Sequence, residues 1–421
     1  MPNELPLNWC ECKFEDVLDY EQPTRYIVSN TDYQEQGIAV LTAGKSFILG
    51  YTDEKDGIFD ASKETVIIFD DFTTASKLVD FPFKVKSSAM KILHAKKDIN
   101  INFLYYLMQT IHYESDTHKR YWISEYAKQT LNLPPLAEQE RIVEKIEALF
   151  QDIDEGVERL KSAQAQIKQY RQSVLKSAFE GKLYKTTDWK EVQLKDVCEK
   201  ITDGSHFSPK QVSNGCYPYI TVKDVRKDII DFDAAKRIDK KQYELLLKSG
   251  CKPYKGDVLF SKDGTVGKVV LVDYEKEFVI LSSLAILRPK KELKSEFLFY
   301  VLKSPKFLAE AINKKTGVAI RRIILDTLKR ISISFPSDIS EQQRIVEEIE
   351  KRFAVADELE KVVNEGLEKA DKLKQSILKK AFEGKLVAQD PNDELASVLL
   401  ERIKKEKQTL SKTKGKKIYK Y

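Results

Sequence analysis

Few side chains in the 421-residue sequence stand at spacings that do chemistry. DGTVGKV (263–269) has the look of a phosphate loop. A Walker A loop needs four residues between its first glycine and its Gly-Lys pair, then Ser or Thr. Here two residues separate Gly264 from Gly267, and Val269 follows Lys268, so a tight turn between strands fits better. Asp70-Asp71 could begin a metal-dependent nuclease site, but no convincing E-x-K partner follows. There is no [DN]PP[YF] amino-methyltransferase motif and no G-x-G-x-x-G. The four histidines (94, 112, 118 and 206) lack ligand spacing. Cys10, Cys12, Cys198, Cys216 and Cys251 form no CxxC pair or Cys/His cluster, so free reduced thiols are expected rather than a disulfide or a metal site. The chain is expected to catalyse nothing and to hold no cofactor or metal of its own.

What remains is cationic, hydroxyl and aromatic side chains on segments that read as loops. Lys45 lies in LTAGKSFIL, and Lys84, Lys86 and Ser87 in FKVKSSAMK. Lys119, Arg120 and Trp122 lie in HKRYWIS. Thr221 and Lys223 fall in YPYITVKDV, Lys262 and Lys268 in the glycine turn, and Arg321 and Arg322 in TGVAIRRI. Lysine and arginine grip phosphates, arginine pairs with guanine, and serine and threonine reach base edges. Any one of them could equally be a solvated surface residue. Together, in two separate regions, they point to DNA.

Net charge is +5, but its distribution matters more. Residues 402–421 hold nine Lys/Arg and one acid, contributing +8 and leaving −3 for residues 1–401. Within that body, residues 137–160 carry −5 and residues 340–361 carry −3. Two acidic segments thus punctuate two more basic regions.

Those acidic segments belong to a repeat. Shifted by 203, residues 133–183 and 336–386 align without a gap, with 21 of 51 pairs identical. EQERIVEKIE faces EQQRIVEEIE, and both copies end in AFEGKL. Each copy reads as one long helix. Heptad position a is Ile146, Ile153, Leu160, Ile167 and Val174 in the first, and Ile349, Ala356, Val363, Ala370 and Ile377 in the second. Position d is mixed, with Leu359 and Leu373 in the second copy. This is a narrow seam for a partner helix, and the simplest partner is the other copy, antiparallel, which gives a pseudo-two-fold. Prolines precede each helix, Ser340 with Gln343 suggests a capping box, and Gly181 and Gly384 mark the stops.

The regions before the helices share only their beginnings: Trp9, Phe14, Asp16 and Val17 have the spacing of Trp189, Leu194, Asp196 and Val197. Beyond that there is little common sequence, though both read as mixed α/β. Five segments are expected: a domain over 1–132, a helix over 133–183, a second domain over 184–335, a second helix over 336–390, and a basic, flexible tail over 391–421. The N-terminus, MPNELPLNWCECKF, has no signal-peptide character, and no apolar run is long enough to span a membrane. A cytoplasmic protein is expected.

PPLAEQERIVEKI, FPSDISEQQRIVEEI and the doubled AFEGKL resemble the specificity (S) subunits of Type I restriction–modification systems. LTAGKSFILGYTD, FDDFTT, FPFKVKSSAMKIL and HKRYWIS resemble one group of target recognition domains; YPYITVKDV and KGDVLFSKDGTVGKV resemble another. The similarity covers residues 5–390. It implies an α+β chain: two mixed α/β target recognition domains separated by two long helices packed as an antiparallel coiled coil. Each domain would read one half of a bipartite, asymmetric site in double-stranded DNA. The helices would set the spacer and dock two modification (methyltransferase) subunits, which use S-adenosylmethionine. Restriction subunits, using ATP and Mg, would complete the nuclease complex. The repeated residues Glu138, Gln139, Arg141 and Phe179, with Glu341, Gln342, Arg344 and Phe382, would present equivalent docking surfaces to the two partners. Two other readings are a coiled-coil scaffold with protein-binding domains and an enzyme with an unrecognised nuclease site.

Overall fold

The computed structural model describes residues 5–42, 47–111, 120–183, 188–212, 214–314 and 322–418, with side chains up to residue 407 and at 409. The chain forms two compact units, Met1–Arg159 with Gly366–Tyr421, and Leu160–Glu365. Each unit holds one mixed α/β domain, the start of the long helix that follows it, and the end of the other long helix. The long helices are Leu136–Phe179 and Ile339–Phe382, each of 44 residues.

The two domains share the strand order of their first sheet and a parallel pair in the second, which has four strands in unit 1 and three in unit 2. In unit 1 an antiparallel sheet runs Leu18–Glu21, Met90–Ala95, Val66–Asp70, Ser76–Val79. In unit 2 the order is Cys198–Asp203, Leu284–Pro289, Val258–Ser261, Val269–Leu271. Each domain has a second sheet built around one parallel pair: Ile38–Leu41 with Pro82–Val85, and Tyr217–Ile220 with Val279–Ile280. Each closes with an antiparallel pair of lead-in and return strands, Cys10–Lys13 with Thr130–Leu133 and Trp189–Gln193 with Ser332–Pro336.

Double-sided burial explains why this likeness is so faint in sequence. Along Val66–Asp70, Ile67 and Phe69 face the core shared with the helices, while Val66 and Ile68 face the second sheet. Along Val258–Ser261, Val258 and Phe260 face one core and Leu259 the other. A strand covered on both faces needs apolar side chains of suitable volume, not particular ones.

Within each unit the long-helix segments run antiparallel. In unit 1, Ile142 and Ile146 share a core with Ile377, Leu378 and Ala381. In unit 2, Val174, Leu175 and Ala178 share one with Ile345, Val346 and Ile349. Equivalent clamps fix the pairing. In unit 1, Lys374 Nζ lies 2.6 Å from Asp154 Oδ1 and 4.9 Å from the Phe150 ring centre, and Tyr106 meets Phe150 edge-on. In unit 2, Arg171 lies 2.5 Å from Asp357 and 5.1 Å from the Phe353 ring centre, and Tyr300 meets Phe353 edge-on. The seam of the second helix follows the predicted a positions, but Leu359 and Leu373 are exposed. Phe353, Glu360, Leu367 and Lys374 are half-buried instead, one step round the helix.

The helix ends match the glycine expectation: Gly181 and Gly384 have φ of 70° and 69°, the left-handed region that a side chain disfavours. The predicted Ser340–Gln343 capping box does not form. Asp338 caps instead, accepting from Ser340 N at 2.8 Å, and Gln343 turns to Glu347.

The expected flexible tail is a helix, Ala396–Ile418. Ala396, Leu399, Leu400 and Ile403 are buried, and the last three lie in the core of unit 1. Their i, i+3, i+4, i+7 spacing is a helix-face pattern that the lysine count obscured. Truncation after Asp390 should therefore lower the unfolding temperature markedly, since each buried aliphatic side chain contributes about 1.5–3 kcal/mol. Truncation after Lys407 should leave it nearly unchanged. Equal melting of the two truncations would contradict this packing.

Candidate nucleic-acid interface

Backbone hydrogen bonds gather loops at the same place in each mixed α/β domain. In unit 2, Leu281 N donates to Ile220 O at 2.9 Å and Ser282 N to Ser205 O at 2.9 Å. Lys262 N donates to Ser283 O at 3.0 Å, and Ile323 N to Lys262 O at 2.9 Å. Val222 N donates to Ser283 Oγ at 3.1 Å. Segments around residues 205, 221, 262, 282 and 322 are thereby joined beyond the strand ends. Unit 1 repeats the arrangement: Lys86 N donates to Leu41 O at 2.9 Å, Asp71 N to Ala89 O at 3.0 Å, and Tyr121 N to Asp71 O at 2.8 Å. Arg120 and Arg322 therefore occupy equivalent places, each one residue before the last of these bonds.

Of the predicted DNA-binding residues, Lys86, Ser87, Arg120, Lys223 and Arg322 are exposed on these loops. The Arg120 guanidinium lies 6.0 Å from the Phe72 ring centre. Thr221 is half-buried and spends its hydroxyl locally, donating to Asp224 Oδ2 at 2.8 Å. Lys84, Lys262 and Trp122 are buried and Lys268 is half-buried, each held by partners within the chain. Lys84 donates to Asp56 O at 2.7 Å and pairs with Glu54 at 2.6 Å. Lys262 pairs with Asp203 at 3.2 Å. Lys268 donates to the carbonyls of Val222 and Val225 at 2.9 and 2.6 Å. Trp122 is 1% exposed and packs against Phe69 and Tyr126. These side chains hold the loops in place and are not free to reach a ligand. Lys45, Lys119 and Arg321 lie outside the described residues.

The predicted docking residues divide similarly. Gln139 and Gln342 are fully buried. Gln139 accepts from Asn100 N at 2.9 Å and donates to Pro134 O at 2.9 Å. Gln342 accepts from Lys294 N at 2.9 Å and donates to Pro336 O at 2.9 Å and to Glu292 O at 2.8 Å. Asn100 and Lys294 are the N-caps of equivalent helices, Ile101–Met108 and Ser295–Lys303. Each glutamine thus ties the first turn of a long helix to the mixed α/β domain before it. Phe179 and Phe382, from AFEGKL, pack edge-on against Phe297 and Phe103 on those same short helices. The doubled motifs therefore meet equivalent short helices within this chain.

The remaining pairs are not equivalent surfaces either. Glu138 is buried, accepts from Trp9 Nε1 at 2.9 Å, and has its pKa raised by burial, with the Trp9 bond and Arg141 opposing. Arg141 pairs with Asp393 at 2.7 Å, so the C-terminal segment lies against this first turn. In unit 2, Glu341 is half-buried and Arg344 exposed. Two features escaped sequence reasoning. Val355, Leu359 and Val362 form an exposed apolar stripe on the second long helix, legible in their i, i+4, i+7 spacing. Phe207 is 60% exposed, with no sequence signal beyond an aromatic in a polar loop.

Nothing in the thiols suggests chemistry. All five cysteines are free, and burial pushes Cys12 and Cys198 up to about 12. Among the described residues no group of three or more His, Cys, Asp or Glu could hold a metal ion, and no helix is long and apolar enough to cross a membrane.

The profile of the Type I restriction modification DNA specificity domain matches residues 6–162 and 186–369. The chain belongs to that family. It is a specificity subunit, and non-catalytic. It is 33% identical over 379 residues to the EcoR124I/EcoR124II specificity subunit of Escherichia coli, covering 86% of this chain and 89% of that one. It is 31% identical over 308 residues to the EcoBI specificity subunit of Escherichia coli, covering 66% and 64%. A solved structure described as "Structural basis underlying complex assembly and conformational transition of the type I R-M system" superposes with a TM-score of 0.65 at 22% identity, over 91% of this chain and 100% of that one. That likeness shows a shared fold.

Replacing Gln139 or Gln342 with alanine should strand buried backbone groups and cost about 1–3 kcal/mol, read as a lower denaturation midpoint. An unchanged midpoint would mean that these joints carry no stability. Lys84→Met should also destabilise the chain, whereas Lys86→Met should not; equal melting of the two variants would contradict the assignment of Lys84 to the interior.

Proposed function

We propose that each recognition domain of this specificity subunit reads one half of a bipartite, asymmetric site in double-stranded DNA, and that the gathered loops are the reading surface. The observation that carries this is the same loop frame built twice with different side chains. Lys86, Ser87 and Arg120 face out in one domain, and Lys223 and Arg322 in the other. One frame with two sets of readers suits a non-palindromic site, since identical readers would demand a palindrome. Lys45, Lys119 and Arg321 belong to the same segments by sequence and are proposed to act with them.

The long helices set the distance between half-sites and dock two modification subunits. The acidic helical segments repel DNA phosphates, and the stripe of Val355, Leu359 and Val362 offers an apolar footing beside them. Arg344 and Glu341 lie on the same helix and remain accessible. The modification subunits bring S-adenosylmethionine and methylate adenine; restriction subunits bring ATP and Mg. The assembly works in the cytoplasm, on chromosomal and incoming DNA.

The direct test is co-expression with the cognate modification subunit in a methylation-free host, with methyladenine mapped by long-read sequencing. A single split, asymmetric motif that disappears without this chain is expected. Soluble, associated subunits that leave no methylation and bind no DNA would favour a protein-binding scaffold instead. Arg120→Ala and Arg322→Ala should weaken DNA binding or relax the motif, each in a different half-site. Both acting on the same half-site would contradict the division of labour. One turn inserted in each long helix, adding about 5.4 Å, should change the spacer and leave both half-sites as they were; an unchanged spacer would refute the ruler.

A further inference from the structure

We infer that Phe207 is a specificity-determining residue, presented by unit 2 as an apolar contact to the base pairs of its half-site. This rests on the reading of the gathered loops as the DNA face.

The loop is built to hold this ring out. Gly204 passes so close to the neighbouring strand that a Cβ would sit 2.3 Å from Leu281 O, so only glycine fits. Ser205 is buried and forms a parallel bridge with Leu281. Its hydroxyl accepts from Phe207 N at 3.1 Å and donates to Phe207 O at 3.0 Å, which fixes the turn. His206, Phe207 and Ser208 are exposed, and Pro209 is buried again. Three residues therefore protrude between two buried anchors. Phe207 belongs to none of the hydrophobic clusters of its unit.

The ring is 60% exposed and adds no packing to any core of its unit. Its surroundings indicate what covers it. Ser282 bonds to Ser205, Lys262 to Ser283 and Ile323 to Lys262, so the loop belongs to the same gathered set as the exposed Arg322. His206 stands next to it, with Nε2 3.2 Å from Asp203 Oδ2. Protein–protein contacts deplete charge around their apolar centres, whereas DNA contacts set apolar side chains among cations. A phenyl ring has no donor or acceptor for a base edge. It can take a thymine methyl group in the major groove, or it can wedge between base-pair steps.

The experiment uses the complex of this chain with its modification subunits and the duplex carrying the motif mapped for the natural chain. Phe207→Ala should leave assembly and melting temperature unchanged, weaken binding to that duplex about tenfold, and relax the methylated motif at one position of one half-site. The salt dependence of binding should not change, since no phosphate contact is lost. Phe207→Leu should keep much of the affinity. Deoxyuridine in place of thymine in that half-site would match the Phe207→Ala loss for a methyl contact. A wedge would instead show as 2-aminopurine fluorescence at the step, lost in the variant. Unchanged affinity and motif in Phe207→Ala, with the natural chain binding normally, would overturn this inference alone. Lost stability or lost assembly without any change in DNA binding would also overturn it. A natural complex that binds no duplex would overturn the reading beneath it.

Discussion

A buried glutamine at the start of each long helix is the constraint on which the rest of this structure depends. Its amide oxygen accepts from backbone and its nitrogen donates to backbone, once at Gln139 and twice at Gln342. The acceptor takes the N-cap N–H of a recognition-domain helix, a group otherwise orphaned at that end. The donor takes the proline carbonyl at the end of the return strand or just beyond it. Strand, short helix and long helix are joined at one point, twice in the chain. The phenylalanine of AFEGKL then lays the end of the other long helix on the same short helix. The orientation of each domain relative to the helix beneath it is thus set by buried hydrogen bonds rather than by solvated loops.

The structure also shows where the duplication is loose. Pro134 and Pro336 play the same part at an offset of 202, whereas the long helices correspond at 203. One extra residue sits at the second junction, and Gln342 reaches back six residues where Gln139 reaches five. The clamp tolerates change in the same way, with Lys374 in one unit and Arg171 in the other against equivalent Asp, Phe and Tyr partners. What persists is the geometry of charge over ring and beside carboxylate.

Much of this was legible in the sequence. The repeat located both long helices to within four residues at either end, and the glycines marked their stops. The recognition domains' internal topology was legible only as mixed α/β, because strands buried on both faces carry no periodic signature. At the site, sequence could name cations but not their surroundings. Lys84, Lys262 and Lys268 look like readers until their distant partners are known, whereas Lys86, Arg120, Lys223 and Arg322 differ from them only in burial. The equivalence of Arg120 with Arg322 was hidden because flanking residues differ, although each precedes its return strand by the same interval. The C-terminal helix was hidden by its charge, its four apolar anchors outnumbered by lysines.

The central claim is that one scaffold carries two interchangeable readers. The most direct measurement replaces residues 190–335 with a second copy of residues 10–133, joining lead-in strand to lead-in strand and return strand to return strand. The methylation motif of the complex is then mapped. The account predicts an inverted repeat of a single half-site, the one read by unit 1. A motif that stays asymmetric, or a unit 1 half-site that itself changes, would contradict it.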